Sequence, residues 1–299
     1  MSGVLLLFII YYLGFVFLGD VRERNRRFIR YTNASTPPQV SETDIVYKGT
    51  ELPLGIEEIT NILSKHCKFY SHLNDGLKQK FLKRVQKFMR KKMFIIKDDE
   101  GFKEMPVLIS ATAIQLTFGL KHYLLDFYKY IRIYPKEYIA DHSLKVLAGN
   151  VHNNTITVAW NYFLKGNDNC TDGSNLGLHE MSHALYFQKM VIDGDFTPDF
   201  SKKYNSLLAE CREAAQLEIE AHKNIYSEYA DTDLQEFWAE SVEIFFEKPN
   251  NLKENYPSVY EAIKILLNQD PLNTVNPILF INSSLSQRIL RFLKGKSRP

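Results

Sequence analysis

Cysteine is scarce in this chain, and the three that occur, Cys67, Cys170 and Cys211, lie far apart. An odd, widely spaced set excludes a disulfide framework and a cysteine-based zinc module. An excess of either charge is missing too: 37 Lys and Arg stand against 35 Asp and Glu, a net of +2. So close a balance gives no footing for nucleic-acid binding by the chain as a whole. There is no internal repeat and no low-complexity tract. With 45% hydrophobic and 24% charged residues the composition is that of an ordinary globular protein. A length of 299 residues fits one domain or two.

The sharpest local absence is at the start, where residues 1–19 contain no charged side chain. A helix of that length is about 28 Å long, close to the ~30 Å hydrocarbon core of a bilayer. A cleaved signal peptide would want a basic beginning and a small-residue cleavage site, and neither is present. The expectation is a retained single-pass transmembrane helix. Arg22, Arg24, Arg26, Arg27 and Arg30 follow it and nothing basic precedes it. The positive-inside rule therefore places the bulk of the chain on the cytoplasmic side of the cell's inner (plasma) membrane. Residues 20–50 read as a basic juxtamembrane segment and a polar linker.

Residues 51–275 read as the folded domain. Leu77, Phe81, Val85 and Phe88 recur at helical spacing within 77–93, with lysine and arginine on the remaining face. That basic face reads as solvated surface, with attraction to anionic lipid as the functional alternative. Residues 111–120 look like a buried helix. Residues 130–134 and 155–160 alternate as strands do. Asn153-Asn154 is a turn signal that suggests a hairpin between the second of these and 144–151. Residues 178–267 are mostly helical. Helix, then strands, then helices is an α+β pattern. In residues 276–299, Leu285, Ile289, Phe292 and Leu293 fall on one helical face among basic residues. This basic amphipathic tail suits either a frayed end or a helix lying on anionic lipid.

One motif carries chemistry: His179-Glu180-Met181-Ser182-His183, an H-E-x-x-H. On a helix, positions i and i+4 share a face, so the two imidazoles can bind one Zn²⁺ per chain. Glu180 beside them can act as general base on a zinc-bound water. The pattern arises by chance about 0.014 times in a chain of this composition, so coincidence is set aside. A catalytic zinc site wants a third protein ligand, and residues 185–197 hold no histidine. The ligand must come from a later element, and residues 234–240 are the best source. Glu236, Glu240, Glu243 and Glu247 ride one helix at i, i+4, i+7 and i+11, beside Phe237, Trp238, Ile244 and Phe245. A glutamate buried against aromatics is costly without a cation, and zinc supplies one. Glu243 and Glu247 read as the solvated end of the stripe.

Tyr229 through Glu240, continued by Phe245 to Pro249, Leu252, Tyr260 and Gln269-Asp270-Pro271, resembles the Mlc titration factor A family of zinc-dependent peptidases. Asn175 to Glu180 and Ile109-Ser110-Ala111 match upstream. The family is gluzincin-like and similar in its core to the catalytic domain of anthrax lethal factor. The resemblance covers roughly residues 54–271. It implies a zincin-like metallopeptidase fold and a hydrolase acting on peptide or protein substrates. It also implies that His179, His183 and Glu236 are the zinc ligands, Glu180 the base and Tyr229 an oxyanion donor. Glu240, one turn after Glu236, is then left to orient a zinc histidine. Thr155, Thr157 and Ala159 would form the edge strand that pairs with an extended substrate. The family includes a member that captures a transcriptional repressor, so a regulatory binding module with a protein partner is the alternative function.

Overall fold

The computed structural model describes residues 37–48, 54–97, 103–140, 144–189, 225–227 and 234–279. The anchor expected at residues 1–19, the tail from 280 onward and Tyr229 lie outside the described residues. Among the described residues no helix is long and apolar enough to cross a membrane.

Alternating apolar residues build the sheet. In β2 (Met93–Ile96), β3 (Tyr130–Tyr134) and β7 (Thr155–Ala159) the strands run parallel. Their register puts Phe94 beside Ile131 and Ile131 beside Ile156, then Ile96 beside Ile133 and Ile133 beside Val158. These six side chains make one continuous apolar face, wholly withdrawn from water. The period of two sends Arg132, Thr155 and Thr157 to the opposite face. β1 (Ile45–Lys48) adds antiparallel beyond β2, and β6 (Gly149–His152) adds antiparallel beyond β7. The order is β1-β2-β3-β7-β6, so the sheet is mixed. A separate hairpin joins β4 (Tyr138–Ile139) to β5 (Val146–Leu147).

The strand expected at the edge, with Thr155, Thr157 and Ala159, is therefore an interior strand. Its backbone is paired on both sides, all five of its residues are buried, and it has no free edge for a peptide. The cause is the Asn153-Asn154 turn, where Asn153 takes φ +51° and folds β6 back along β7. Asparagine tolerates that left-handed region better than most residues. The edge nearest the site belongs to β6.

The helices close over the apolar face. α1 (Ile56–His66) and α2 (Lys68–His72) lead into α3 (Asp75–Lys91), whose start is capped by Asn74 Oδ1 accepting from Leu77 N at 3.0 Å. α3 buries Phe81, Val85 and Phe88 and leaves its lysines outward, as its periodicity requires. α4 (Glu104–Thr117) begins well before the residues the sequence suggested. It is buried on nearly every side, so no polar stripe marks its start, and Pro106 in its first turn costs little there. Lys92, only 3% exposed, donates from Nζ to the carbonyls of Leu125 (2.7 Å) and Tyr128 (2.5 Å). Those bonds fix the turn that brings Phe127 and Tyr128 to the cleft described below. After β7 come α5 (Trp160–Asp168) and α6 (Leu176–Phe187). Then follow α7 (Leu234–Glu247), α8 (Pro249–Asn255) and α9 (Pro257–Leu267). α7 lies along α6, tied by Trp238 Nε1 donating to Ser182 O at 3.0 Å.

Candidate metal centre

α6 presents the H-E-x-x-H. Its first turn is held by Asn175, whose Oδ1 accepts from Leu178 N at 3.0 Å. One turn apart on this helix, His179 Nε2 and His183 Nε2 approach to 3.0 Å. Glu236, near the start of α7, brings Oε2 to 3.3 Å from His179 Nε2 and Oε1 to 3.4 Å from His183 Nε2. Three potential ligand atoms converge on one point, the only such group of three among the described residues. A tetrahedral ion with bonds of ~2.0–2.1 Å needs donors spaced about 3.3–3.4 Å apart. The Glu236 carboxylate stands at that spacing from each histidine, one oxygen toward each, while the two imidazole nitrogens lie somewhat closer together; the three residues can hold a zinc ion. Two imidazoles and a carboxylate are also the donor types a catalytic zinc takes. The hydrogen bonds from both histidines hold the Glu236 carboxyl well below the usual carboxylate range. Burial lowers the His179 pKa, but its bonds to Glu236 and Glu243 outweigh burial and raise it. A metal entering here displaces that proton.

The other nitrogen of His179 is equally defined. Nδ1 lies 2.7 Å from Glu243 Oε1, and Glu243 is 7% exposed. This carboxylate fixes the ring's orientation and turns Nε2 toward the ligand cluster. Glu243 also accepts from Asn175 N. Glu247 accepts from Asn175 Nδ2 and Gly173 N, each at 2.9 Å. The two glutamates expected to be solvated are therefore buried partners of α6. Burial raises both carboxyls, Glu247 to about 7. Glu240, expected to orient a zinc histidine, instead accepts from Ser227 N at 3.0 Å and from Ser227 Oγ. It holds the segment two residues before Tyr229. Helical geometry explains the exchange. Seven residues turn a helix to within about 20° of the starting direction, whereas four overshoot by about 40°. Glu243 thus comes closest to the direction of Glu236 and reaches His179 Nδ1, while Glu240, about 40° round the same side of the helix, meets Ser227 instead.

Glu180 is 4% exposed, and burial pushes its carboxyl up to about 7. Its Oε2 has no hydrogen-bond partner among the described residues. An orphaned buried carboxylate oxygen beside a ligand cluster is what a base awaiting a proton looks like. Its space comes from the edge strand. A Cβ built on Gly149 of β6 would stand 2.5 Å from Glu180 Oε1 and 2.8 Å from its Cδ and Cγ. Gly149 escaped the sequence reading because nothing local marks it; only the pairing of β6 puts it over α6. The cleft here is about 590 Å³, lined on one side by His179, Glu180 and Glu236 and on the other by Gly149, Val151 and His152. Gly149→Ala is expected to keep zinc and the fold while lowering kcat by about 10²-fold, because Glu180 must swing off its position. Zinc content, thermal melting and the kcat and KM values check this; an unchanged kcat would show that Glu180 has room to spare.

Over 233 residues the chain is 25% identical to the Uncharacterized protein slr2042 of Synechocystis sp. (strain ATCC 27184 / PCC 6803 / Kazusa), covering 71% of this chain and 83% of that one. A family model described as glucose-regulated metallo-peptidase M90 matches residues 51–266, which includes both histidines, Glu180, Glu236 and Glu243. This is the Mlc titration factor family that the sequence resembles, and the chain belongs to it.

Proposed function

We propose that the protein is a zinc-dependent peptidase that cleaves peptide or protein substrates in the cleft between β6 and α6. Residues 1–19 would anchor it in the inner membrane with its catalytic domain facing the cytoplasm. The observation that carries the peptidase reading is the convergence of His179, His183 and Glu236 beside a buried, unpartnered Glu180 oxygen. When bound, zinc supplies a Lewis acid that polarises a carbonyl and brings the pKa of water to about 7. The protein's own residues do the rest. Glu180 Oε2 takes a proton from the attacking water and returns it to the leaving amine. Glu243 keeps His179 in the tautomer that leaves Nε2 free to ligate. β6, the outer strand, offers its backbone to an extended substrate. Tyr229, by its match to the family, donates to the developing oxyanion.

The test is metal analysis of the purified full-length chain together with hydrolysis of a fluorogenic peptide library. About one zinc per chain is expected, with hydrolysis abolished by a chelator and restored by added zinc. A fully loaded chain that hydrolyses nothing while binding a protein partner tightly would sink the peptidase reading in favour of a regulatory binding module.

A further inference from the structure

One side of the fold carries positive charge that the protein does not balance. α3 holds seven cations and a single acid, Asp75 at its first residue, in a chain whose total is only +2. Lys80, Arg84, Lys87 and Lys91 fall at i, i+4, i+7 and i+11, so they form one stripe along the helix, with Lys83 and Arg90 beside it. Lys83, Lys87, Arg90 and Lys91 are exposed. Among the described residues none of the seven forms an ion pair; those of Lys97, Lys103 and Lys264 lie outside α3. Burial and the neighbouring Arg84 pull the Lys80 ammonium down to about 8. Like charges are thus packed together where an approaching anion lowers their repulsion. At the far end Asp126 and Lys129 act on the buried Lys92 with opposite signs, so they offset each other.

The shape of this surface limits what covers it. Arg84 Nη1 donates to the carbonyls of Thr117 (3.3 Å) and Phe118 (2.8 Å), and its guanidinium lies 4.0 Å from the centre of the Tyr123 ring. These contacts lay residues 117–123 along α3. The helix is therefore embedded in a broad face about 25 Å long, rather than standing out to enter a groove of nucleic acid. Nor do the described aromatic side chains of this face offer bases a platform, since Phe118 is fully buried and Tyr123 lies under Arg84. Five of the seven cations are lysines, point charges that ask no fixed geometry of their partner. A broad, lysine-rich surface suits a plane of laterally mobile phosphates. We propose that α3 rests its basic side on the headgroups of an anionic bilayer, without inserting. The docking does not depend on residues 1–19; an anchor there would only raise the local concentration of lipid. Lys92, directly after α3, holds the carbonyl of Tyr128, which lines the metal cleft. Docking of α3 thus fixes where that wall of the cleft stands relative to the lipid.

Lysine footprinting on the full-length chain tests this. The protein is added to preformed vesicles of phosphatidylglycerol and phosphatidylcholine, or of phosphatidylcholine alone, and treated briefly with an acetylating reagent. Mass spectrometry reads the rate at each lysine. On the anionic vesicles Lys83, Lys87 and Lys91 are expected to react about 5–10-fold more slowly than on the neutral ones, and to regain their rates in about 0.5 M salt. Lys165 and Lys253, exposed on α5 and α8, are expected to react alike on both. Neutral vesicles engage only residues 1–19, so the comparison separates this surface from an anchor. Lys87→Glu combined with Arg90→Glu, at exposed sites outside the core and the metal cleft, should abolish the protection of Lys83 and Lys91. Zinc content and thermal melting should stay as in the wild type. Equal rates at Lys83, Lys87 and Lys91 on the two kinds of vesicle, or equal slowing at Lys165 and Lys253, overturn the proposal. So does protection by duplex DNA that exceeds protection by the anionic vesicles at about 0.15 M salt, which assigns the surface to nucleic acid instead.

Discussion

Glu180→Gln is expected to bind zinc at the wild-type stoichiometry and to lose roughly 10²–10⁴ in kcat. That loss corresponds to about 3–5 kcal/mol of transition-state stabilisation. Glutamine has the size of glutamate, so it fits the space left by Gly149, where even one added methyl would collide. It makes no contact that the ligands need, since His179 is held by Glu243 and the third donor is Glu236. What glutamine lacks is an oxygen able to take a proton, and the affected oxygen, Oε2, is the one without a partner among the described residues. KM should therefore stay near the wild-type value while kcat and kcat/KM fall together, the pattern of an interaction made only in the transition state. Zinc analysis and steady-state kinetics on the same preparation decide the matter. A variant that remains fully active would reduce the cluster to a structural metal site.

How much of this was legible in the sequence depends on whether the signal was local. The H-E-x-x-H declares itself because helical spacing alone puts its two histidines on one face, and α6 holds them as expected. Burial beside aromatics pointed only to the segment 234–240, and the family resemblance singled out Glu236 within it. The amphipathic α3 and the alternating β3 were also plain, each having one wet face and one dry. The failures share a cause, namely partners far along the chain. Whether β7 is an edge strand depends on where β6 goes. The Asn153-Asn154 turn that signalled their hairpin already implied that β6 would cover it. Glu243 and Glu247 look like solvated charge until α6 is laid against α7, when Asn175 and His179 become their partners. The start of α4 was hidden because a helix buried all round shows no periodicity. Gly149 carries no side chain at all, and only its contact with Glu180 reveals its purpose.

The largest effect on the metal itself is expected from Glu236→Ala, which removes one of three ligands and should abolish stoichiometric zinc binding and hydrolysis together. Its two helix-mates discriminate the roles along α7. Glu243→Ala leaves His179 Nδ1 and Asn175 N without their shared acceptor. Loss of a partner that orients a metal-binding histidine typically costs about 10–100-fold in affinity or activity. Glu243→Gln should recover part of that loss, because its carbonyl oxygen can still accept from Nδ1 although the charge is gone. Glu240→Ala touches neither histidine and should keep wild-type zinc affinity. Its cost should fall on turnover, since it releases Ser227 and with it the approach to Tyr229. Competition against a chromophoric chelator measures the affinities, and peptide hydrolysis at saturating zinc measures the turnover. If Glu240→Ala weakens zinc while Glu243→Ala does not, the assignment of the two glutamates is reversed. If Glu243→Gln is as damaging as Glu243→Ala, the negative charge near His179 matters more than the hydrogen bond that aims its ring.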